Sequence, residues 1–423
     1  MEAGWQQSSR AAAIGDVRGV VGLHCKGPMS TPVLPCTEPA AAGRLVALPL
    51  RLDAIPRSAW QRLLAATPAA TPFSRWTFHR AWWDAYGATA HEQYLVCRTA
   101  DAAGSAVDDM DAIVAIVPLM HRHETEPGDA ATATVLRRRT QSGTNVRPDA
   151  KAVFMAATYH ADYATVLAAP QDLADVAAAL VDSLAIAADD QSAGQPWDVI
   201  DLRRFRDDDP ALTALEAAFS ARAAGHCWSV TREHEDVCPV TVFPQGDWEA
   251  FLGSLGKKDR HEIRRKMRRA EASGEIRFSL AALDAASVDV FIELHQARWG
   301  DEGLFPGTEG GERSRRFLHR LTELEAAEGR DAQLQLGQVR VAERLIFATV
   351  GFDDGDTCFF YNAGMDPGAR ELSPGVTGTA AYVRDRLAAG RRRFDFLRGN
   401  EAYKYEWGAL DEPIHRLLVT RTG

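Results

Sequence analysis

The chain has 423 residues, 46% of them hydrophobic and 25% charged, the balance of a globular protein longer than one core usually organises, so two domains are expected. A net charge of −10 argues against a general nucleic-acid binder, and the absence of any apolar run of about 18 residues argues against a membrane-spanning helix. The six cysteines form neither a C-x-x-C pair nor a Cys/His grouping at metal spacing, so neither a zinc site nor a disulfide framework is expected. With no secretory signal pattern at the start, the expected setting is the cytoplasm, without a metal.

Residues 1–44 are rich in Ala, Gly, Ser and Pro without periodicity, and read as a flexible N-terminal extension. From "RLVALPLRLDAIP" onward the pattern changes. "AWQRLLAA" and "FHRAWWDAYG" are helical, followed by the strand-like runs "EQYLVCRT", "AIVAIVPLMHR", "TVLRRRT" and "YATVLAAP". "LADVAAALVDSLAIAADD" places Leu173, Val176, Leu180 and Leu184 on one helical face, and "PWDVIDLRRF" is a strand ending in charge. Strands interleaved with helices give a layered α/β domain over 45–205. Residues 206–423 repeat the order. "HCWSV" and "CPVTVF" are strands, and "GDWEAFLGSLGKKDRHEIRRKMRRAEASG", "SVDVFIELHQARWG" and "RSRRFLHRLTELEAAEG" are helices. The strands "AQLQLGQV", "RLIFATVGF", "TCFFYNAGM" and "RFDFLRG" follow, with one further helix between the last two.

That helix opens on "LSPGVTG". Ser373 suits an N-cap and Pro374 the first helical position. Gly375 and Gly378 then cost about 0.5–1 kcal/mol each relative to alanine, which calls for a reason. One is an anion seated on free backbone amides at the positive end of the helix dipole. The other is tight packing of helix on sheet. Val376, Ala380, Val383 and Leu387 carry the apolar stripe.

"KKDRHEIRRKMRR" gathers eight basic side chains in thirteen residues, with Arg264 and Arg268 on one face. Such repulsion calls for an anion, or for neutralisation by Asp259, Glu262 and Glu271. No G-x-S-x-G elbow is present, so a serine hydrolase has no support.

The order strand, turn, helix, strand resembles the acyl-coenzyme A site of the GNAT superfamily of N-acetyltransferases, with "RELSPGVTG" standing where the usual Q/R-x-x-G-x-G/A signature lies. "SLGKKDRHEIRRKMRRAEASG", "ELHQARWG", "FFYNAGMDPGARELSPG" and "FDFLRGNEAYKYEWG" resemble more narrowly the CelD/BcsL-type acetyltransferases, associated by name with cellulose biosynthesis, and more distantly the Fem-type ligases. The resemblance implies two tandem GNAT-like domains, each a mixed, largely antiparallel sheet flanked by helices. It implies transfer of an acyl group from acetyl-CoA or another acyl-CoA to a small-molecule or polysaccharide-precursor amine or hydroxyl, without DNA.

Under that reading Asn362, Ser373, Gly375, Val376 and Gly378 hold the coenzyme. Tyr403 is the candidate acid for the departing thiolate, with Tyr405 its alternative. Asp395, set opposite Phe394 and Phe396 by strand alternation, is a candidate base, as is Glu401. Lys404, His295, Trp299, Arg264 and Arg268 are candidate substrate contacts, with sheet packing, ion pairing or a structural histidine as the plain alternatives. Two rival functions stay open: a Fem-like aminoacyl-tRNA-dependent transferase, which would use the basic helix for tRNA, and a non-catalytic module of the same fold.

Overall fold

The computed structural model describes residues 45–99, 112–122, 151–189 and 197–421. The extension at 1–44 and the strand expected at 134–140 lie outside these residues. The fold class is mixed α/β, as the alternating patterns indicate.

The first half opens with β1 (Leu45–Leu50), α1 (Arg57–Ala66) and α2 (Trp76–Tyr86), then β2 (His91–Glu92) and β3 (Tyr94–Thr99). The run "AIVAIVPLMHR" becomes two strands, β4 (Ile113–Val117) and β5 (Leu119–Arg122). Pro118 lies between them and offers no amide to a ladder. β6 (Ala152–Met155), β7 (Leu167–Ala168), α3 (Leu173–Asp189) and β8 (Val199–Arg206) complete this half.

The second half starts with α4 (Pro210–His226). Asp209 caps it by accepting from the amide of Ala211. "HCWSV" and "CPVTVF" then fuse into one 15-residue strand, β9 (Trp228–Val242). α5 (Trp248–Ser254) and the basic α6 (Lys257–Glu271) meet at Gly256, followed by β10 (Ile276–Leu280). α7 (Ala285–Trp299) and α8 (Glu309–Glu328) precede the three-strand meander β11 (Leu334–Val341), β12 (Arg344–Asp353) and β13 (Thr357–Met365). α9 (Pro374–Ala388), β14 (Arg393–Asp395), the single turn α10 (Ala402–Tyr405) and β15 (Leu410–Arg421) finish the described chain.

Among the described residues two sheets form. The smaller has the order β1-β3-β4-β7; the larger has the order β10-β11-β12-β13-β14-β9-β15-β8-β6-β5-β2 and joins both halves. The junction is β15, antiparallel to β9 on one side and to β8 on the other. One face of β12 and β13 buries Val350, Phe352 and Phe359 with Phe291 of α7, Phe317 of α8 and Trp82 of α2. The opposite face buries Phe347, Phe360, Phe394 and Phe396 with Ile263 and Met267 of α6 and Val383 of α9.

The halves are also stitched by Glu325 of α8, which is buried. Its carboxylate takes hydrogen bonds from Arg75 Nε at 3.1 Å and from the amides of Gln333 and Leu334 at 2.7 and 3.2 Å, and a further one from Thr77 Oγ1. A buried carboxylate is tolerated when its lone pairs are satisfied in this way.

Candidate active site

The site grows from a place where two parallel strands part. β13 and β14 pair over Thr357↔Arg393, Cys358↔Phe394 and Phe359↔Asp395. Beyond Phe359, β13 runs on to Met365. The chain after β14 instead follows β9, with Phe396 N donating to Pro239 O at 3.0 Å and Gly399 N to Val237 O at 2.8 Å. Tyr361, Asn362 and Ala363 therefore border a gap between strands. On its other side β13 pairs β12 with a register break between Val350 and Phe352. Thr349 Oγ1 donates to Asn362 O at 2.8 Å there. Such irregularities re-aim side chains at functional sites.

The N-terminus of α9 lies against the far end of β13, where Gly375 faces Met365. Ser373 departs from the expected cap. Its backbone is left-handed (φ 49°, ψ 57°), and its hydroxyl makes no capping bond within the helix; an N-cap residue needs extended backbone to aim its oxygen at the first-turn amides. Ser373 Oγ instead accepts from the guanidinium of Arg269, the last arginine of α6.

Thr377 N bonds to Ser373 O at 2.9 Å. The amides of Gly375 and Val376, earlier in the turn, have no carbonyl partner within the helix. Ser373, Gly375 and Val376 are half-buried. Gly378 is fully enclosed: a Cβ there would stand 2.3 Å from Phe347 Cγ, so this glycine exists to let α9 lie on the sheet. At Gly375 a Cβ would meet only Met365 Cε at 3.4 Å, an ordinary contact. Of the two explanations offered by the sequence, packing accounts for Gly378 and leaves Gly375 available to a ligand.

The aromatic row on this face runs from Phe360 to Phe396, with ring centroids 5.9 Å apart, and on to Tyr403 at 6.1 Å. Tyr403 keeps 43% of its surface exposed. Tyr405 is engaged: its hydroxyl donates to Asp411 at 2.7 Å, and the phenol's pKa is pushed up to about 12 by desolvation and by that carboxylate.

Lys404 is corrected from a substrate contact to a structural clip. It is buried, and its ammonium donates to the carbonyls of Leu397, Arg398 and Gly399 at 2.8–2.9 Å while pairing with Glu401 at 3.0 Å. Glu401, half-buried, is thereby tied to that clip. The turn so held contains Leu397 at φ 57°, a left-handed value costly for a branched side chain.

Asp395 lies on the face opposite Phe394 and Phe396, and is buried. It accepts from Tyr163 Oη at 2.8 Å and from Leu397 N at 2.7 Å. Burial pushes its pKa up to about 6, against the pull of those two donors. His295 of α7 is buried beside Asn362, whose side chain hydrogen-bonds to it; desolvation holds the imidazole down at about 4. Trp299, one turn on, is 43% exposed, with the Arg298 guanidinium 4.7 Å above its ring. Asn362, His295 and Trp299 thus gather at one place. Arg264 does not join them: it pairs with Glu249 on the outer side of α6. Arg268 is exposed on the same helix.

The segment "TYHADY" (158–163) was not singled out, yet it supplies the first half's share of the site. Asp162 pairs with Arg398 Nε at 3.2 Å, Tyr163 reaches Asp395, and His160 Nδ1 lies 2.9 Å from Tyr361 Oη. These residues sit in irregular chain between β6 and β7, where no periodicity marks them; the density of rings and charges in six residues was the available signal.

Residues 257–405 match the family model for the acetyltransferase (GNAT) domain. No curated protein sequence matches the chain. Among solved structures, a conserved protein of unknown function from Bacteroides thetaiotaomicron VPI-5482 is similar at 12% identity and TM-score 0.50, covering 88% of this chain and 99% of that one. FemX is similar at 10% identity and TM-score 0.51, covering 85% and 96%. A tandem GNAT protein from the clavulanic acid biosynthesis pathway aligns at 11% identity and TM-score 0.45, covering 90% and 99%. No helix among the described residues is long and apolar enough to cross a membrane. The stretch that carries α6, the parted strands and α9 is thus the one that matches the GNAT acetyltransferase domain, within an overall fold shared with FemX.

Proposed function

We propose that the protein is an acyl-CoA-dependent acyltransferase, with an N-acetyltransferase reaction the first to test. Residues 45–205 and 206–423 are read as tandem GNAT-like domains sharing one sheet. The carrying observation is the parting of β13 from β14 beside the open first turn of α9. In this reading the coenzyme's diphosphate takes the amides of Gly375 and Val376 with Ser373 Oγ and Arg269 alongside, and its thioester reaches Asn362 through the gap. The acceptor amine or hydroxyl then approaches from the opposite face, near Tyr361, Asp162 and Arg398. Attack forms the new C–N or C–O bond as the C–S bond breaks, and Tyr403 is the group placed to protonate the thiolate.

The CelD/BcsL resemblance supports an acceptor of sugar or cell-envelope type, and the reading assigns the enzyme to the cytoplasm. Calorimetry with CoA and acetyl-CoA, then thiol release over a panel of aminosugars, tests the proposal. Saturable coenzyme binding and acceptor-dependent thiol release are expected; absence of coenzyme binding overturns it.

The basic face of α6 and the fold shared with FemX favour one second reading, an aminoacyl-tRNA-dependent transferase. Tight tRNA binding that falls steeply with salt, without CoA binding, would select it.

A further inference from the structure

A chain of buried hydrogen bonds crosses from the first half to the edge of the gap. His160, 6% exposed, has Nδ1 2.9 Å from Tyr361 Oη and Nε2 2.8 Å from Tyr86 Oη, and its backbone carbonyl, 3.1 Å from Tyr361 Oη, is a second acceptor for the phenolic proton. Tyr86 Oη in turn lies 3.0 Å from Ser314 Oγ. The imidazole is stacked on Phe317, 4.3 Å between centroids and 15° between planes, which fixes its orientation. A small cavity on this face is walled by His160, Ser314 and Tyr361, with Asn362, Phe305 and Phe317. The four polar groups are set in an otherwise apolar wall, where Phe or Leu would pack without any need of partners. Tyr361 directly precedes Asn362, at the point where β13 leaves β14.

Resting on the acyltransferase reading above, we infer that Tyr361 and His160 form a proton relay for the acceptor, so that the first half of the chain takes part in the chemistry. As the acceptor nitrogen attacks the thioester carbonyl, its proton passes to Tyr361 Oη while the phenolic proton passes to His160 Nδ1. The C–N bond forms, the C–S bond breaks, and the thiolate takes a proton from the acid on the opposite face. The imidazolium keeps its Nε2–H on Tyr86, which Ser314 holds in turn, until product leaves; its Nδ1 proton then returns to Tyr361 Oη as the proton taken from the acceptor passes from Tyr361 to water entering the gap. One tautomer serves every step: Nδ1 bare toward Tyr361, Nε2–H toward Tyr86. Tyr361 is the catalytic residue of the pair, and His160 the positioning one.

Two measurements on the full chain test the relay. Long-range proton–nitrogen NMR of protein labelled with nitrogen-15 histidine, assigned with H160Q and H160N, reads the tautomer directly. An Nε2–H ring is expected, and an Nδ1–H ring overturns the relay whatever the activity. With acetyl-CoA and the aminosugar panel, Y361F is expected to lower kcat about a hundredfold, the scale of general-base catalysis, while CoA affinity stays unchanged. H160N, which keeps an acceptor atom toward Tyr361, is expected to retain more rate than H160Q. A kcat for Y361F equal to wild type overturns the relay. Coenzyme binding with the wrong tautomer removes this proposal alone; loss of coenzyme binding in the wild type removes the parent reading as well.

Discussion

Arg269 donates a hydrogen bond to Ser373 Oγ, joining the last turn of the basic helix α6 to the first turn of α9. Two features that stand 104 residues apart in the sequence, a run of basic side chains and a glycine-containing helix start, therefore present positive charge to one spot. If an acyl carrier's diphosphate sits there, Arg269→Ala weakens CoA binding about fivefold, the measure of one exposed charged contact of about 1 kcal/mol. Calorimetry reads the change. Thermal stability is expected to stay put, because the guanidinium is exposed.

The two glycines of α9 separate packing from binding. Gly378→Ala drives a methyl into the Phe347 ring and is expected to cost about 1–3 kcal/mol in urea unfolding. Gly375→Ala meets only Met365 and is expected to leave stability unchanged or raised by about 0.5–1 kcal/mol. Equal destabilisation by both would contradict the assignment.

Glu325→Ala leaves Arg75 and two backbone amides without their shared acceptor. Breaking a buried ion pair of this kind costs about 3–5 kcal/mol, and the urea midpoint should fall accordingly. A surface control, Glu323→Ala, is expected to change stability by less than about 1 kcal/mol.

Asp395 gives stability a pH dependence of definite sign. Its carboxyl titrates near 3.8 when free and at about 6 in the fold. Between those values the folded state holds the additional proton, so stability falls as pH rises through the window. Asp395→Asn removes that fall. Unfolding followed from about pH 4 to about pH 7 should show the variant gaining on the wild type as pH increases; parallel curves would mean the carboxyl ionises normally.

Lys404→Met tests the clip on the turn after β14. Three carbonyls lose their donor, at about 1–3 kcal/mol for each buried group left unpaired. The expected results are a lowered melting temperature and faster proteolysis at residues 397–400.

Much of the meander, the helix before β14 and the aromatic alternation of "RFDF" could be read from periodicity, because each depends on neighbours within a few residues. Ser373 could not. The 3-10 turn running from Pro367 to Leu372 forces it into a left-handed backbone, which a capping-type residue before proline gives no sign of. Gly378 was ambiguous for another reason: a glycine looks the same in sequence whether a ring or a ligand covers it, and Phe347 sits on a different strand. Lys404 was misjudged because its three acceptors are main-chain carbonyls, which no residue type announces. His160, Asp162 and Tyr163 were invisible since their partners lie 201–236 residues further along the chain.

The position of β15 constrains how the molecule can be assembled. Residues 199–206 and 228–242 never touch as ladder partners; each zips onto residues 410–421. Until that late segment arrives during synthesis, β8 and β9 present raw strand edges, templates for pairing with a neighbouring chain. A nascent or truncated polypeptide should consequently be far more prone to aggregate than the finished one, and dissecting the halves at residue 205 would yield two sticky fragments rather than two working modules.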